Sequence, residues 1–261
     1  MTLMKQELRK GRISLILWTA IISFLLGVCI LIYPEMEHQM NDLSGMFADM
    51  GGFSAAFGMD KINFGEFMGF FGVECANVLG LGGAFFAALL GISSLASEEK
   101  EKTAEFLLTH PISRTQVVLE KYCAILIQIA ILNSVVIIVT LLSAFAIGEF
   151  PKDNTLALLF VAYFILQVEI ASICFGISSF LDRGGSGSGL GLAALFYFLN
   201  IIANLTDQAQ FLKYITPFGY TEGADIVATG HIELKYLSLG ILFTAIGAVT
   251  AFLKYRKKDI S

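Results

Sequence analysis

A single acidic residue interrupts the apolar stretch FILQVEIASI, which runs from Phe164 to Ile173. A charge at the centre of a membrane-spanning helix costs about 3 kcal/mol unless the group is protonated or paired. Glu169 can therefore relay a proton or cation, or contact a polar substrate. It can equally form a hydrogen-bonded link to another helix, and the sequence leaves both interpretations open.

Two neighbouring features extend this intramembrane polar group. Gln167 lies two residues before Glu169 and so faces another side of the helix. The preceding apolar stretch carries Gln128, Asn133 and Ser134, which are the candidate partners of Glu169. We include Glu169, Gln167 and Asn133 as candidates for a translocation path or an intramembrane polar contact.

Other sequence patterns resemble catalytic or metal-binding motifs but lack a residue or a spacing that those motifs require. DRGGSGSGLG, from Asp182 to Gly191, is rich in glycine but lacks the lysine of a phosphate-binding loop. Its G-x-S-G has no histidine within an apolar run to activate the serine. The four cysteines have no metal-ligand spacing, and H-E-x-x-H is absent. We predict no catalytic residue and no metal site, and expect these glycines to pack against a neighbouring helix, as G-x-x-x-G pairs do.

A charged segment, SEEKEKTAEFLLTHPISRTQVVLEKY, spans residues 97–122 between two apolar runs. A helix beginning near Ser97 must end before Pro111, because the residue before proline disfavours helical geometry. Ser113 and Gln116 then fit a capping box at the start of a second helix. A helix, a fixed bend and a second helix are typical of a docking surface. A solvated elbow on the inner leaflet is the alternative.

The elements that must position these residues are membrane helices. Hydrophobic residues make up 56% of the 261 residues and charged residues only 15%, whereas about a quarter of a soluble domain is charged. Apolar runs near the 20 residues needed to cross a bilayer recur along the chain. The sequence predicts an all-α polytopic membrane protein, 1–261, with six spans at about 13–33, 73–95, 123–147, 155–181, 188–204 and 235–253.

The distribution of basic residues predicts the orientation. With the N-terminus in the cytoplasm, 13 of the 17 lysines and arginines lie on the cytoplasmic side and four lie outside. Cytoplasmic loops carry the excess of positive charge in membrane proteins. We expect a multi-pass protein of the plasma membrane with both termini in the cytoplasm.

Two long loops, 34–72 and 205–234, then lie outside the cell. In the first loop the large apolar residues Met36, Met40, Phe47 and Met50 follow helical spacing, and Gly51 and Gly52 end the pattern. We call this group the outer lid. It predicts either an amphipathic helix on the outer leaflet or a lid over a substrate path. In the second loop, Pro217 and Gly219 exclude a straight helix, and the loop can dip into the membrane where protein covers its backbone.

The charged segment resembles the cytoplasmic segment that follows the second span in ABC-2 type permeases of ABC transporters. The resemblance rests on Glu98, Glu99, Thr103, Glu105, Leu107, Leu108, Pro111, Ile112, Ser113, Arg114, Val118 and Lys121. The basic N-terminus, six spans, Thr216-Pro217-Phe218 and the KYRKKDI ending agree with that family over essentially the whole chain.

This resemblance implies an ABC-2 type exporter fold with cytoplasmic coupling helices. It implies that two cytoplasmic ABC ATPase subunits bind ATP and Mg²⁺, that this chain binds no cofactor, and that it pairs with a second copy or a sister permease. By the same resemblance, seven residues lie at or near the ATPase contact: Glu98, Glu99, Thr103, Glu105, Pro111, Ser113 and Arg114.

Three functional hypotheses follow. The first is ATP-driven export of an amphipathic substrate (a peptide, a drug or a lipid-like molecule), because methionine side chains adapt to varied apolar shapes. The second is efflux of sodium or another cation through Glu169. The third is a non-transporting anchor that recruits a soluble partner through 97–122. Nothing in the composition predicts a nucleic-acid partner.

Overall fold

The computed structural model describes residues 2–63, 65–100, 113–150, 154–181 and 185–257. Within these ranges the regular structure is helical, without strands. The α-helices, numbered in chain order, are α1 Thr2–Asp49, α2 Gly52–Ala56, α3 Phe67–Cys75, α4 Gly82–Lys100, α5 Arg114–Ile147, α6 Thr155–Ser178, α7 Ser186–Leu205, α8 Gly223–Thr229 and α9 Leu234–Lys257.

Six helical stretches are long and apolar enough to cross a membrane, so the prediction of six spans is confirmed. They are Leu3–Glu37, Phe67–Ala96, Arg114–Ile147, Thr155–Ser178, Ser186–Leu205 and Leu234–Arg256. Each of them except the fourth is longer than the run predicted for it from the sequence. A helix continues through polar residues after it leaves the hydrocarbon, because its backbone hydrogen bonds are internal.

The first helix is much longer than a span. Its 48 residues correspond to about 72 Å at 1.5 Å per residue, and it contains Pro34. The outer lid residues Met36, Met40 and Phe47 therefore continue the first span and do not form a separate helix. The helix ends at Asp49, and Gly51 adopts a φ of 56°, a region that favours glycine.

The second span is interrupted by a π-helical segment. Ala76–Leu81 joins α3 to α4, and such segments are rare and often occur at functional sites. Asn77 lies in this segment and accepts a hydrogen bond from the Tyr197 hydroxyl at 2.8 Å. The segment thereby links the second span to the fifth.

Helix α6 lies at the centre of the molecule and is packed closely on both sides. On one side, a Cβ at Gly91 of α4 would collide with the carbonyl oxygen of Ala171. On the other, a Cβ at Gly247 of α9 would collide with the carbonyl oxygen of Ser172. Glycine at both crossings lets the three backbones approach, as in other membrane helix interfaces.

Candidate functional site

The helices on either side of the charged segment meet at a buried lysine. Lys121 of α5 is 1% exposed. Its Nζ lies 2.8 Å from Glu7 Oε1 of α1 and donates at 2.9 Å to the Ser94 carbonyl of α4. We call these three residues the Lys121 junction. It joins the beginning of the first span, the end of the second and the beginning of the third.

Contacts around the junction add further links between the same helix ends. The Met4 backbone N–H donates to Glu120 Oε2 at 3.1 Å, which is a second bond between α1 and α5. Arg114 Nη1 donates to the Arg256 carbonyl at 3.2 Å, which connects the start of α5 to the end of α9. The beginning of α5 is therefore bonded to the first, second and sixth spans.

The predicted coupling residues are placed only in part. Glu98 and Glu99 lie in the last turn of α4, where the structure describes the backbone alone, and Thr103, Glu105 and Pro111 lie outside the described residues. Ser113 caps α5, because its Oγ accepts from the Gln116 N–H at 3.2 Å. The capping-box prediction is confirmed for this bond. The Gln116 side chain, however, donates to Glu120 Oε1 and does not reach back to Ser113.

Sequence reasoning missed the junction itself. Lys121 could be assigned to the cytoplasmic side, but its partner Glu7 is 114 residues away in the chain. The available signal was a lysine within the apolar run VVLEKYCAIL, where burial requires a partner.

The intramembrane polar residues form two separate pairs. Asn133 Nδ2 donates to Gln167 Oε1 at 2.7 Å, which links α5 to α6. Glu169 is 1% exposed and accepts from the Tyr220 hydroxyl at 2.8 Å. The expectation that Glu169 pairs with Gln128, Asn133 or Ser134 is wrong. It is Gln167, on the other side of α6, that faces α5.

Tyr220 reaches Glu169 because the second outer loop folds in among the spans. Pro217–Tyr220 forms a short 3₁₀ helix whose residues are all buried. Thr216 caps this helix by accepting from the Phe218 N–H, and its hydroxyl donates to the Phe196 carbonyl of α7 at 2.7 Å. Protein therefore covers this backbone, as a segment at membrane depth requires.

A second buried carboxyl group lies between the fifth and sixth spans. Glu222 Oε2 accepts from Asn200 Nδ2 at 2.8 Å and from Asn204 Nδ2 at 2.9 Å. Burial raises the pKa of Glu222 above its ordinary value, and the two amide hydrogen bonds offset this only in part. A cavity of about 20 Å³ beside it is lined in part by Glu222, Asn200 and Tyr163.

The two outer loops are joined by ion pairs. Asp225 of α8 lies 2.7 Å from Lys61 Nζ, in the first loop, and 3.3 Å from Lys213 Nζ, in the second. Burial would raise the pKa of Asp225, but the Lys61 hydrogen bond and the charges of both lysines outweigh burial and lower it.

The outer lid residues are described only in part. Met36 is half-buried and Met50 is 51% exposed, and the side chains of Met40 and Phe47 lie outside the described part of the structure.

The polar contacts described above join helices and loops to one another. Among the described residues, no group of three or more His, Cys, Asp or Glu side chains could hold a metal ion. The G-x-x-x-G prediction holds only for Gly189, where a Cβ would meet the Ala88 carbonyl oxygen at 3.0 Å. Gly185, Gly187 and Gly191 face open space.

Comparison with known protein families gives a match over almost the whole chain. The model of a family described as ABC-2 family transporter protein matches residues 1–260 of the chain. No curated protein matches the chain.

Proposed function

The chain belongs to the ABC-2 transporter family, and from this premise we propose that it exports an amphipathic substrate across the plasma membrane. Membership makes it a permease subunit of an ABC transporter and a multi-pass membrane protein. An ABC ATPase is the expected partner of such a subunit. The direction of transport, the class of substrate and the composition of the complex are the proposal.

The Lys121 junction is the observation that carries the proposal. It joins the two helix ends between which residues 101–112 run, and it fastens both to the N-terminal part of the first span. A force applied to the segment between α4 and α5 would reach three spans through one buried ion pair. A simple tether between two spans would not need this connection.

The ATPase contact is proposed at the cytoplasmic segment. Glu98, Glu99, Thr103, Glu105, Pro111, Ser113 and Arg114 form this contact, with two ATPase copies per complex and ATP and Mg²⁺ bound by the ATPases. Both termini of the permease then lie in the cytoplasm. Arg114 supports this assignment, because it lies half-buried at the start of α5 and is also bonded to the last span.

Helix α7 supports pairing with a second permease. Gly187 and Gly191 face open space, and Leu195, Phe198 and Ile202 are 52%, 59% and 45% exposed. These five residues follow helical spacing along one face, which we call the α7 face. Small residues followed by large apolar ones suit close packing against another membrane helix.

The outer lid and the two outer loops support an amphipathic substrate. The outer lid residues Met36, Met40, Phe47 and Met50 are apolar, and methionine side chains adapt to varied apolar shapes. The Lys61–Asp225 ion pair holds the following loop against α8. Deletion of residues 36–50 should lower resistance to a panel of membrane-active peptides, whereas unchanged resistance would contradict the role of the lid.

A cation path through Glu169 has less support. Glu169 is bonded to Tyr220, and Gln167 is bonded to Asn133, so each group serves as an interhelical link. Within the described residues, neither pair belongs to a group of three or more His, Cys, Asp or Glu side chains that could hold a metal ion.

The docking proposal is tested by charge reversal. In Arg114→Glu and Glu105→Arg, the ATPase should no longer copurify with the folded permease. The matched control is Lys235→Glu, which replaces an exposed lysine at the opposite end of the spans. This variant should still copurify with the ATPase. If the ATPase remains bound after both reversals, the contact lies elsewhere.

A further inference from the structure

An apolar groove opens between the fourth, fifth and sixth spans. Its volume is about 330 Å³, within the range of small-molecule pockets. It is lined by Ile173, Gly176, Ile177, Phe180, Phe196, Ile215, Phe243, Ile246, Gly247 and Thr250. Thr250 is the only residue of this set with a polar side chain.

The groove results from a glycine crossing. A Cβ at Gly176 of α6 would lie 2.8 Å from the Gly247 carbonyl oxygen of α9. The two backbones touch there, while larger side chains on both sides leave the groove open. Ile177, Phe180 and Ile246 are 38%, 56% and 51% exposed, so the groove faces out of the chain at membrane depth.

A lysine stands at one end of the groove. Lys254 follows Thr250 by one helical turn and lies on the same face of α9. Its Nζ is 5.2 Å from the centre of the Phe180 ring, and Phe180 lies just beyond the end of α6. Within the described residues Lys254 makes no ion pair.

We propose that this groove binds one acyl chain of an anionic phospholipid whose phosphate contacts Lys254. The volume of about 330 Å³ is less than two turns of a helix would fill, since a helix is about 10 Å across with its side chains. A single hydrocarbon chain can enter it. Basic sites between spans near the cytoplasmic surface are suited to anionic lipid headgroups.

Selectivity resides in the headgroup. Lipid tails are as apolar as the groove, so the lining orders the chain by packing and does not select among lipids. Lys254 supplies the attraction, and a lipid with net negative charge offers a phosphate that no ammonium group of its own neutralises. The ligand is thus a structural lipid of the membrane leaflet in which Lys254 lies. Its binding does not depend on the transport proposal.

Photolabelling tests the site on the full-length protein in mixed-lipid nanodiscs. The probe is phosphatidylglycerol with a photoreactive group on one acyl chain. Labelled peptides should contain residues 173–180 and 243–250. Lys254→Gln should lower labelling about five-fold, which corresponds to about 1 kcal/mol. Lys235→Gln, at the other end of α9, is the matched control and should leave it unchanged.

A second pair of variants tests the groove. Ile246→Trp places a large side chain in the groove and should abolish labelling of these peptides, while Ile241→Trp, at an exposed position outside the groove, should not. Excess unlabelled phosphatidylglycerol should compete and phosphatidylcholine should not. Three results would overturn the proposal. They are uniform labelling of all spans, equal competition by phosphatidylcholine, and labelling that neither Lys254→Gln nor Ile246→Trp lowers.

Discussion

Glu169 and Tyr220 form a buried hydrogen bond between the fourth span and the second outer loop. Glu169→Gln keeps an acceptor for the Tyr220 hydroxyl, so we expect the reconstituted complex to retain its ATP hydrolysis. Tyr220→Phe removes the donor and should lower the stability by about 1–3 kcal/mol. Thermal unfolding in detergent measures this, with Tyr214→Phe as the exposed control.

The opposite pattern would contradict a structural role for this pair. A Glu169→Gln variant that loses sodium-dependent growth or flux, while Tyr220→Phe unfolds like the wild type, would support a cation path. The two variants distinguish a structural hydrogen bond from a cation path, because only Glu169→Gln removes the ionisable carboxyl group.

Glu222 should make the stability of the outer loops depend on pH. Because its pKa is raised by burial, the folded chain keeps a proton that the unfolded chain has lost. Stability should therefore fall as the pH rises above about 4.5, the ordinary value for this carboxyl group. Glu222→Gln should flatten this dependence, as measured by unfolding temperature against pH.

The control for this prediction is Glu233→Gln, on an exposed side chain of the same loop. It should leave the pH dependence intact. A wild-type unfolding temperature that rises over the same range would show that Glu222 ionises freely in the folded protein.

At the residue scale the sequence was a better guide to the important side chains than to the partners that they contact. Glu169, Gln167 and Asn133 could be identified because polar residues in apolar runs are costly. The partner of Glu169 comes from a loop 51 residues later, and no local pattern encodes that distance. The Ser113 cap was predictable because its partner lies three residues away.

Helix α9 packs on α6 through Gly247, where the backbones leave no room for a side chain. Gly247→Ala should lower stability by about 1–3 kcal/mol, as overpacking does. In the monomeric permease Gly191→Ala is the matched control, because a Cβ there meets open space when no second permease covers the α7 face. If the two variants unfold at the same temperature, the crossing is looser than the structure indicates.

At the element scale, six spans were predictable because about 20 apolar residues are needed to cross the bilayer. The continuous 48-residue first helix was not, since the predicted span ends at residue 33 and the spacing of Met36, Met40, Phe47 and Met50 predicted a separate element in the outer loop. The π-helical segment Ala76–Leu81 also escaped prediction, because hydropathy carries no information on the hydrogen-bond register within a helix.

For the whole molecule, the α7 face should contact a second permease. In a background with Cys123→Ser, Ile202→Cys should form a disulfide-linked permease pair on mild oxidation. Phe145→Cys, which replaces a residue 76% exposed on α5, is the control and should remain unlinked. If the partner is a sister permease, that protein needs a cysteine introduced at the facing position, because a disulfide joins two thiols.

The absence of any permease pair with Ile202→Cys, or equal linking through Phe145→Cys, would contradict the α7 interface. Gly187→Leu should also reduce pairing, because a large side chain would separate two closely packed helices.

The most direct test of ATP-driven coupling compares the ATP hydrolysis rate of the copurified ATPase alone with its rate on reconstituted permease. We predict that the permease accelerates hydrolysis. Lys121→Met should return the rate toward that of the free ATPase while the two proteins stay bound, because the Lys121 junction no longer transmits movement to the spans. Two results would contradict the account. One is an equal rate of ATP hydrolysis with and without the permease, as a non-transporting anchor would give. The other is full acceleration of hydrolysis by the Lys121→Met permease.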